Sequence, residues 1–375
     1  MKITSHIKGL DGLRAISLLL VLFAHWEPSA RIAGMMEWGR GGLIMFFVIS
    51  GFLITRLLIQ DRLETPSGHF GHLLKRFYLR RAFRIFPLYY LVLAFVVGID
   101  LTTAVTEDAA WHALFLNNLS AIFIRGSIGP YGPTFPWWSL AVEEQFYLLW
   151  APVFLCAPRK WLLKIIVGAA VAAFTFRITG WAYGISLSKI FVFTLANFDA
   201  LASGCLLAVA IYVVPADYKR RFDLFYKLSG YAAAIALGGL FILHSSLGQA
   251  SYIPSIWNIV FSDVVWYLLA AATIYRFMIS PEGLLATALS NRLLTFIGKR
   301  SYGIYILHQV VAHLMVLRIG PELESRLGFH FTFSGPVESL VFFIVTLGLA
   351  CLSYTFFETP ILRARERIPS VSNTR

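Results

Sequence analysis

Residues 9–26 read GLDGLRAISLLLVLFAHW. From Leu13 onward this stretch is apolar except for Ser17 and two ionisable residues near its ends, Arg14 and His25. It is one of many such runs. Over 375 residues, 58% are hydrophobic and only 14% are charged, and the mean hydropathy is +0.71. Soluble domains run near 45–50% apolar and about 25% charged. Length alone suggests two or three soluble domains. Composition instead points to one all-α, polytopic membrane domain over residues 1–375. It excludes a disordered chain, a collagen-like fibre and a disulfide scaffold. The three cysteines, Cys156, Cys205 and Cys351, lie in apolar stretches without metal-ligand spacing and read as packing residues.

A membrane-spanning helix needs about 20 mostly apolar residues. Ten segments qualify: 13–27, 42–60, 83–99, 138–156, 161–179, 190–213, 229–246, 257–279, 301–318 and 336–357. The sixth is interrupted by Asn197 and Asp199. The run 109–123 is too short to span and reads as interfacial or re-entrant. Lys2 and Lys8 precede the first apolar run, and no small-residue cleavage site ends it, so it reads as a retained helix.

The basic residues set an orientation. With the N-terminus in the cytoplasm and alternating sides, only Arg31, Arg40, Arg125, Arg177, Lys189, Arg318 and Arg326 of the 32 Lys and Arg fall outside. This bias predicts an N-in, C-in protein. It also accounts for the net charge of +12 without a nucleic-acid partner.

Ionisable residues inside apolar spans are costly and mark function. Arg14 and His25 are eleven residues apart. They fall about 20° apart around a helix and about 16 Å apart along it, with Arg14 near the inner surface and His25 in the outer third. The alternative is that Arg14 snorkels to the cytoplasm and His25 sits at a helix end. Residues 133–150, PTFPWWSLAVEEQFYLLW, place Glu143 and Glu144 about 9 Å below an outer belt of Trp137 and Trp138, at the depth of His25. Adjacent carboxylates point about 100° apart, so one can face the bundle interior while the other pairs elsewhere. Glu143 paired with His25 would make a general base; a structural ion pair with a buried arginine is the alternative.

Residues 72–91, HLLKRFYLRRAFRIFPLYYL, set Lys75, Arg76, Arg80, Arg81 and Arg84 at the inner entry to the third helix. Arg81 and Arg84 share a face, as do Arg80 and Arg84, and such forks can hold phosphates; a positive-inside anchor is the plainer reading. Ser50-Gly51 lies mid-way along the second helix, where small residues permit close helix packing or leave room for a narrow ligand chain. Ser301, Tyr302, Tyr305 and His308 run from the inner end of the ninth segment towards mid-membrane; His308 either lines a cavity or packs there. Glu358 ends the tenth segment and is placed to meet a basic loop residue. No P-loop, GxGxxG, HExxH, CxxC or GxSxG motif is present.

Together these motifs resemble the acyltransferase-3 family of integral membrane acyltransferases, across nearly the whole chain. The matching parts are LDGLRAISLLLVLFAHW, FFVISGFLIT, RRAFRIFPLYYL, WSLAVEEQFYLLW, SYGIYILH and FETP. The resemblance implies that His25 is catalytic with support from Arg14, and that Arg81 and Arg84 serve the acyl-CoA donor. Some members carry a further C-terminal SGNH hydrolase-like domain; the chain's end soon after the tenth helix makes the stand-alone form the expectation.

The resulting expectation is acyl transfer, most simply acetyl, from cytoplasmic acetyl-CoA to a hydroxyl of a surface or lipid-linked glycan at the outer face of a bacterial inner membrane. His25, Arg14 and Glu143 are the catalytic candidates, Arg81 and Arg84 bind the donor, Tyr305 and His308 bind substrate, and no metal takes part. A transporter of a glycan or acylated metabolite is the first alternative, and a sensor or scaffold with structural charges the second. The acceptor and the oligomeric state stay open.

Overall fold

The structure is a computed structural model. It describes residues 7–27, 38–64, 69–124, 132–247, 261–328, 332–333 and 335–366. Lys2, Arg31, Arg125, Arg367 and Arg375, which entered the charge bias, lie outside the described residues. Those residues form helices and connecting turns with no strand.

Each of the ten expected segments is occupied by a long helix: α1 (Leu10–Trp26), α2 (Trp38–Glu64), α3 (Phe70–Gly98), α4 (Trp138–Cys156), α5 (Arg159–Ala182), α6 (Phe198–Tyr212), α7 (Ala216–Leu247), α8 (Asp263–Ile279), α9 (Ser301–Leu314) and α10 (Pro336–Ser353). Among the described residues, seven spans are long and apolar enough to cross a membrane; they fall on α2, α3, α5, α6, α7, α9 and α10. The helices α1 and α8 have 17 residues each, and α4 is diluted by Glu143, Glu144 and Gln145.

The helices sort into an inner and an outer set. In α2 and in Thr194–Tyr212, 78% and 67% of the span is buried by protein; in α7, α10 and α5 the shares are 11%, 17% and 22%. The outer helices present Val167, Val171, Ile235, Ile242, Leu340 and Ile344 outward, as lipid-facing walls do. In lipid, apolar surface does not drive helices together, so close contact depends on small residues. The inner set follows that rule. A Cβ at Gly51 would strike the carbonyl of Leu201 on α6, and one at Gly204 would strike that of Val48 on α2. Gly42 lets α2 lie against the Ser17 carbonyl of α1. Gly12 and Gly298 do the same between α1 and residues 289–298.

The interrupted sixth segment is a true break. A short helix, Leu187–Val192, ends at extended Phe193, and a tight turn over Thr194–Asn197 leads into α6. The Asn197 amide satisfies two carbonyls freed there, donating to Phe191 and Phe193 at 3.0 Å each. Residues 103–123 form three short helices against α3 and α4, held by Tyr89 donating to the His112 carbonyl at 2.8 Å and Tyr90 to that of Ala113 at 2.7 Å.

The C-terminus of α1, the N-termini of α4 and α10 and the C-terminal part of α9 share one end of the bundle. Ser339 donates to the Glu27 carboxylate at 2.5 Å, and the Trp137 indole donates to the Ile306 carbonyl at 3.2 Å. The other end gathers the start of α1, the arginine-bearing half of α3, the start of α9 and the π-helical turn Tyr354–Glu358 that follows α10.

Candidate active site

A cavity of about 790 Å³, counting the part open to its surroundings, lies between α1, α2, α3, α4 and α9. Eight polar or charged positions singled out in the sequence line it: Arg14, Ser50, Arg81, Arg84, Glu143, Ser301, Tyr302 and Tyr305. Leu43, Phe46, Ile49 and Leu53 of α2 form an apolar wall. The cavity is thus charged at one end and greasy along its side.

The arginine cluster of α3 divides between two tasks. Arg80 Nη1 donates to buried Asp61 on α2 at 2.9 Å, and Arg76 lies 3.5 Å from the same carboxylate. Arg81, one residue and about 100° further round, instead lines the cavity with its guanidinium 5.0 Å over the Tyr147 ring. Arg84, three residues on, shares that face. The Arg81/Arg84 fork is therefore the one turned to the cavity; the alternative Arg80/Arg84 fork is not formed, because Arg80 neutralises Asp61. Glu358 takes a hydroxyl bond from Ser353 at 3.0 Å and sits in the electrostatic reach of Arg84 and Arg300.

Glu143 faces the cavity and is held from two helices. Ser50 of α2 donates to Oε1 at 3.0 Å, and Tyr147, one turn along α4, donates to Oε2 at 2.6 Å. Ser50 and Gly51 therefore serve both readings at once: Gly51 sets the helix approach and Ser50 lines the cavity. Arg14 is attracted by Glu143 and Asp11 and repelled by Arg81, and its buried Nε has no hydrogen-bond partner among the described residues. It does not snorkel away; a cationic group with an unused donor borders the cavity beside a carboxylate. Glu144 turns aside, close to Tyr89, Tyr90 and Tyr302, and its Oε1 is buried without a partner among the described residues.

His25 does not meet Glu143. Its Nδ1 lies 2.8 Å from Nε2 of His308 on α9, with the two rings 2° from parallel. Nδ1 of His308 in turn lies 2.7 Å from the Tyr305 carbonyl. The expected imidazole–carboxylate pair is not formed: Glu143 lines the cavity with Arg14 and Arg81, while His25 meets His308 of α9. His308 is fully buried behind His25, while His25 keeps a partly exposed face beside Phe135. Tyr305 joins the two regions. Its ring lines the cavity, its hydroxyl donates to the Pro136 carbonyl at 2.8 Å and contacts Ser139 at 2.5 Å, and its carbonyl holds His308.

A second polar centre joins Asn197 and Asp199 of the interrupted sixth segment to Asp263 and to two arginines read as outer loop charges. These two, Arg40 and Arg177, lie inside α2 and α5 and are buried. Arg40 donates to Asp263 of α8 at 2.9 and 2.6 Å and to Asn197 at 2.9 Å. Arg177 forms a two-pronged pair with Asp199 of α6 and lies 3.6 Å from Asp263. Two cations face two anions, so the set is neutral as written. The available signal was the presence of both signs of charge within apolar segments. Among the cysteines, Cys205 is buried with its thiol 3.6 Å from the Gly51 carbonyl, Cys351 is half-buried and Cys156 is exposed.

Known proteins bear on this arrangement. A family model described as "Acyltransferase domain" matches residues 7–355. The peptidoglycan O-acetyltransferase OatA of Listeria monocytogenes is 28% identical over 95% of this chain and 56% of its own length. The putative peptidoglycan O-acetyltransferase YrhL of Bacillus subtilis is 28% identical, covering 95% of this chain and 55% of its own. The O-acetyltransferase OatA of Staphylococcus aureus is 27% identical, covering 95% and 57%. The chain thus spans just over half the length of these relatives. No solved structure matches it. With a matched region that contains α1 to α10 and every residue of the cavity, the chain belongs to the acyltransferase-3 family of integral membrane acyltransferases.

Proposed function

We propose that the protein is an O-acetyltransferase that moves an acetyl group from cytoplasmic acetyl-CoA to a hydroxyl of a cell-wall glycan on the outer side of the membrane. The observation that carries this reading is the cavity that joins Arg81 and Arg84 to Arg14, Glu143 and Tyr305, with the His25–His308 pair just beyond Tyr305. The relatives named for peptidoglycan O-acetylation support the acceptor class. The orientation in this reading is N-in and C-in, in the bacterial inner membrane.

Arg81 and Arg84 then face the donor's phosphates, for which paired guanidinium groups are well suited. The pantetheine arm lies along the apolar wall of α2 and carries the thioester past Tyr305. His25 removes the acceptor's proton, the alkoxide oxygen bonds to the thioester carbonyl carbon, and the carbon–sulfur bond breaks. The thiolate leaves and recovers the proton from His25. Arg14, with its unused Nε donor, is set to orient the donor or offset developing negative charge. Glu143 holds Arg14 in that place by charge.

The test is mass spectrometry of cell-wall glycans from a deletion strain complemented with wild type or His25→Ala. Wild type restores a mass increment of one acetyl ester, and an equally abundant His25→Ala protein does not. If no ester depends on the gene, the reading fails. Full restoration by His25→Ala removes His25 from the chemistry.

A further inference from the structure

We infer that His308 is a positioning residue that fixes the proton of His25 on Nδ1, so that Nε2 is the nitrogen left bare. This rests on the proposed acyl transfer. The reasoning is one of donors and acceptors. A carbonyl oxygen only accepts, so the 2.7 Å contact with the Tyr305 carbonyl requires the proton on Nδ1 of His308. A neutral His308 then has a bare Nε2. Opposite that nitrogen is Nδ1 of His25, 2.8 Å away, which must carry its own proton to make the bond. The remaining nitrogen of His25, Nε2, is left with its lone pair free and has no hydrogen-bond partner among the described residues.

The order of the groups is therefore carbonyl, His308, His25, and with both rings neutral each link has one direction. Two charged imidazoles cannot sit 2.8 Å apart in a buried setting, so the pair holds at most one extra proton. When His25 Nε2 accepts a proton, the new cation keeps donating from Nδ1 to His308, whose lone pair steadies it. A carboxylate performs this task behind the catalytic histidine of serine hydrolases; in this protein a neutral ring performs it. A neutral partner suits the fully buried position of His308, because it adds no second buried charge. Tyr305 becomes the link between this relay and the cavity, since its carbonyl sets the His308 tautomer while its ring lines the donor's path.

The test compares three substitutions of His308 in membranes supplied with radiolabelled acetyl-CoA and soluble peptidoglycan strands. His308→Gln places an amide oxygen where Nε2 stands and keeps an acceptor for His25. His308→Phe keeps a ring and removes the acceptor; His308→Met does so with a flexible chain, and replaces Phe if that variant fails to accumulate. The expected result is a kcat within about tenfold of wild type for Gln and about 100- to 1000-fold lower for Phe or Met, the span of general-base effects. The KM for acetyl-CoA stays unchanged in all three. A packing role for His308 makes Gln no better than Phe or Met, and that outcome overturns the inference, as does near-normal kcat in an abundant Phe or Met protein. If wild type itself shows no transfer while it is well expressed, the proposed function fails first, and the inference falls with it.

Discussion

Arg80 and Arg81 are neighbours in the chain and face different partners: Arg80 is bonded to Asp61 at 2.9 Å, whereas Arg81 lies over the Tyr147 ring at the cavity wall. One helical step of about 100° separates a structural charge from a ligand-facing one. The two substitutions are therefore expected to part. Arg81→Ala leaves the protein abundant and raises the KM for acetyl-CoA by about 10- to 100-fold, the loss of one charge-assisted contact worth about 1.5–3 kcal/mol. Arg80→Ala leaves the buried Asp61 with the more distant Arg76 and lowers the yield of folded protein. Initial rates over a donor series, set beside detergent-extracted yield, separate the two.

Glu143 tests whether charge or hydrogen bonding matters at the cavity. Glu143→Gln keeps an acceptor for Ser50 or Tyr147 but removes the charge that attracts Arg14. Its expected effect is a fall in kcat of about 100-fold with a near-normal melting temperature, in the range seen when a single electrostatic contributor is removed. Equal activity of the Gln variant and wild type would leave Glu143 with a packing role only.

The Arg40–Asp263–Arg177–Asp199 set makes a prediction about stability alone. Removing one member of a buried ion pair costs about 3–5 kcal/mol, because the partner charge is stranded. Asp263→Ala strands Arg40 and unbalances Arg177, since Asp263 faces both. Sharply reduced abundance and thermal stability are expected, with activity per folded molecule unchanged. Fluorescence-detected size-exclusion after a heat series measures this directly.

The α2–α6 crossing predicts a steric effect. Gly51→Leu forces a side chain into the Leu201 carbonyl and pushes the helices apart. Small residues are what permit this approach in lipid. The variant is expected to lose folded yield, and Gly238→Leu, where a Cβ meets no neighbouring atom within 4 Å, is expected to keep it.

The bundle is readable from residue order alone because each helix announces itself in lipid: a run of apolar residues is its own signal. Depth along a helix is readable only in part: Arg14 and the Arg81/Arg84 pair do share a cavity, but Glu143, expected at the depth of His25, lines that cavity with them instead. Pairing is not. Whether His25 meets Glu143 or His308 depends on which helix stands next to α1, and neither periodicity nor hydropathy encodes neighbour order. The Tyr147–Glu143 bond could have been found, since four residues separate them on one helix face; the Ser50 bond could not. Arg40 and Arg177 were misplaced because a charge near a span's end reads as a loop residue until a buried carboxylate is found opposite.

The four-charge set is also completed late in the chain. Its members enter the membrane at residues 40, 177, 199 and 263. A growing chain that has reached α6 holds two arginines against one aspartate, and neutrality comes only when α8 arrives with Asp263. Insertion is thus incomplete for as long as synthesis has not passed the eighth helix. A chain that stops before that point leaves one of the two arginines without a carboxylate to offset it.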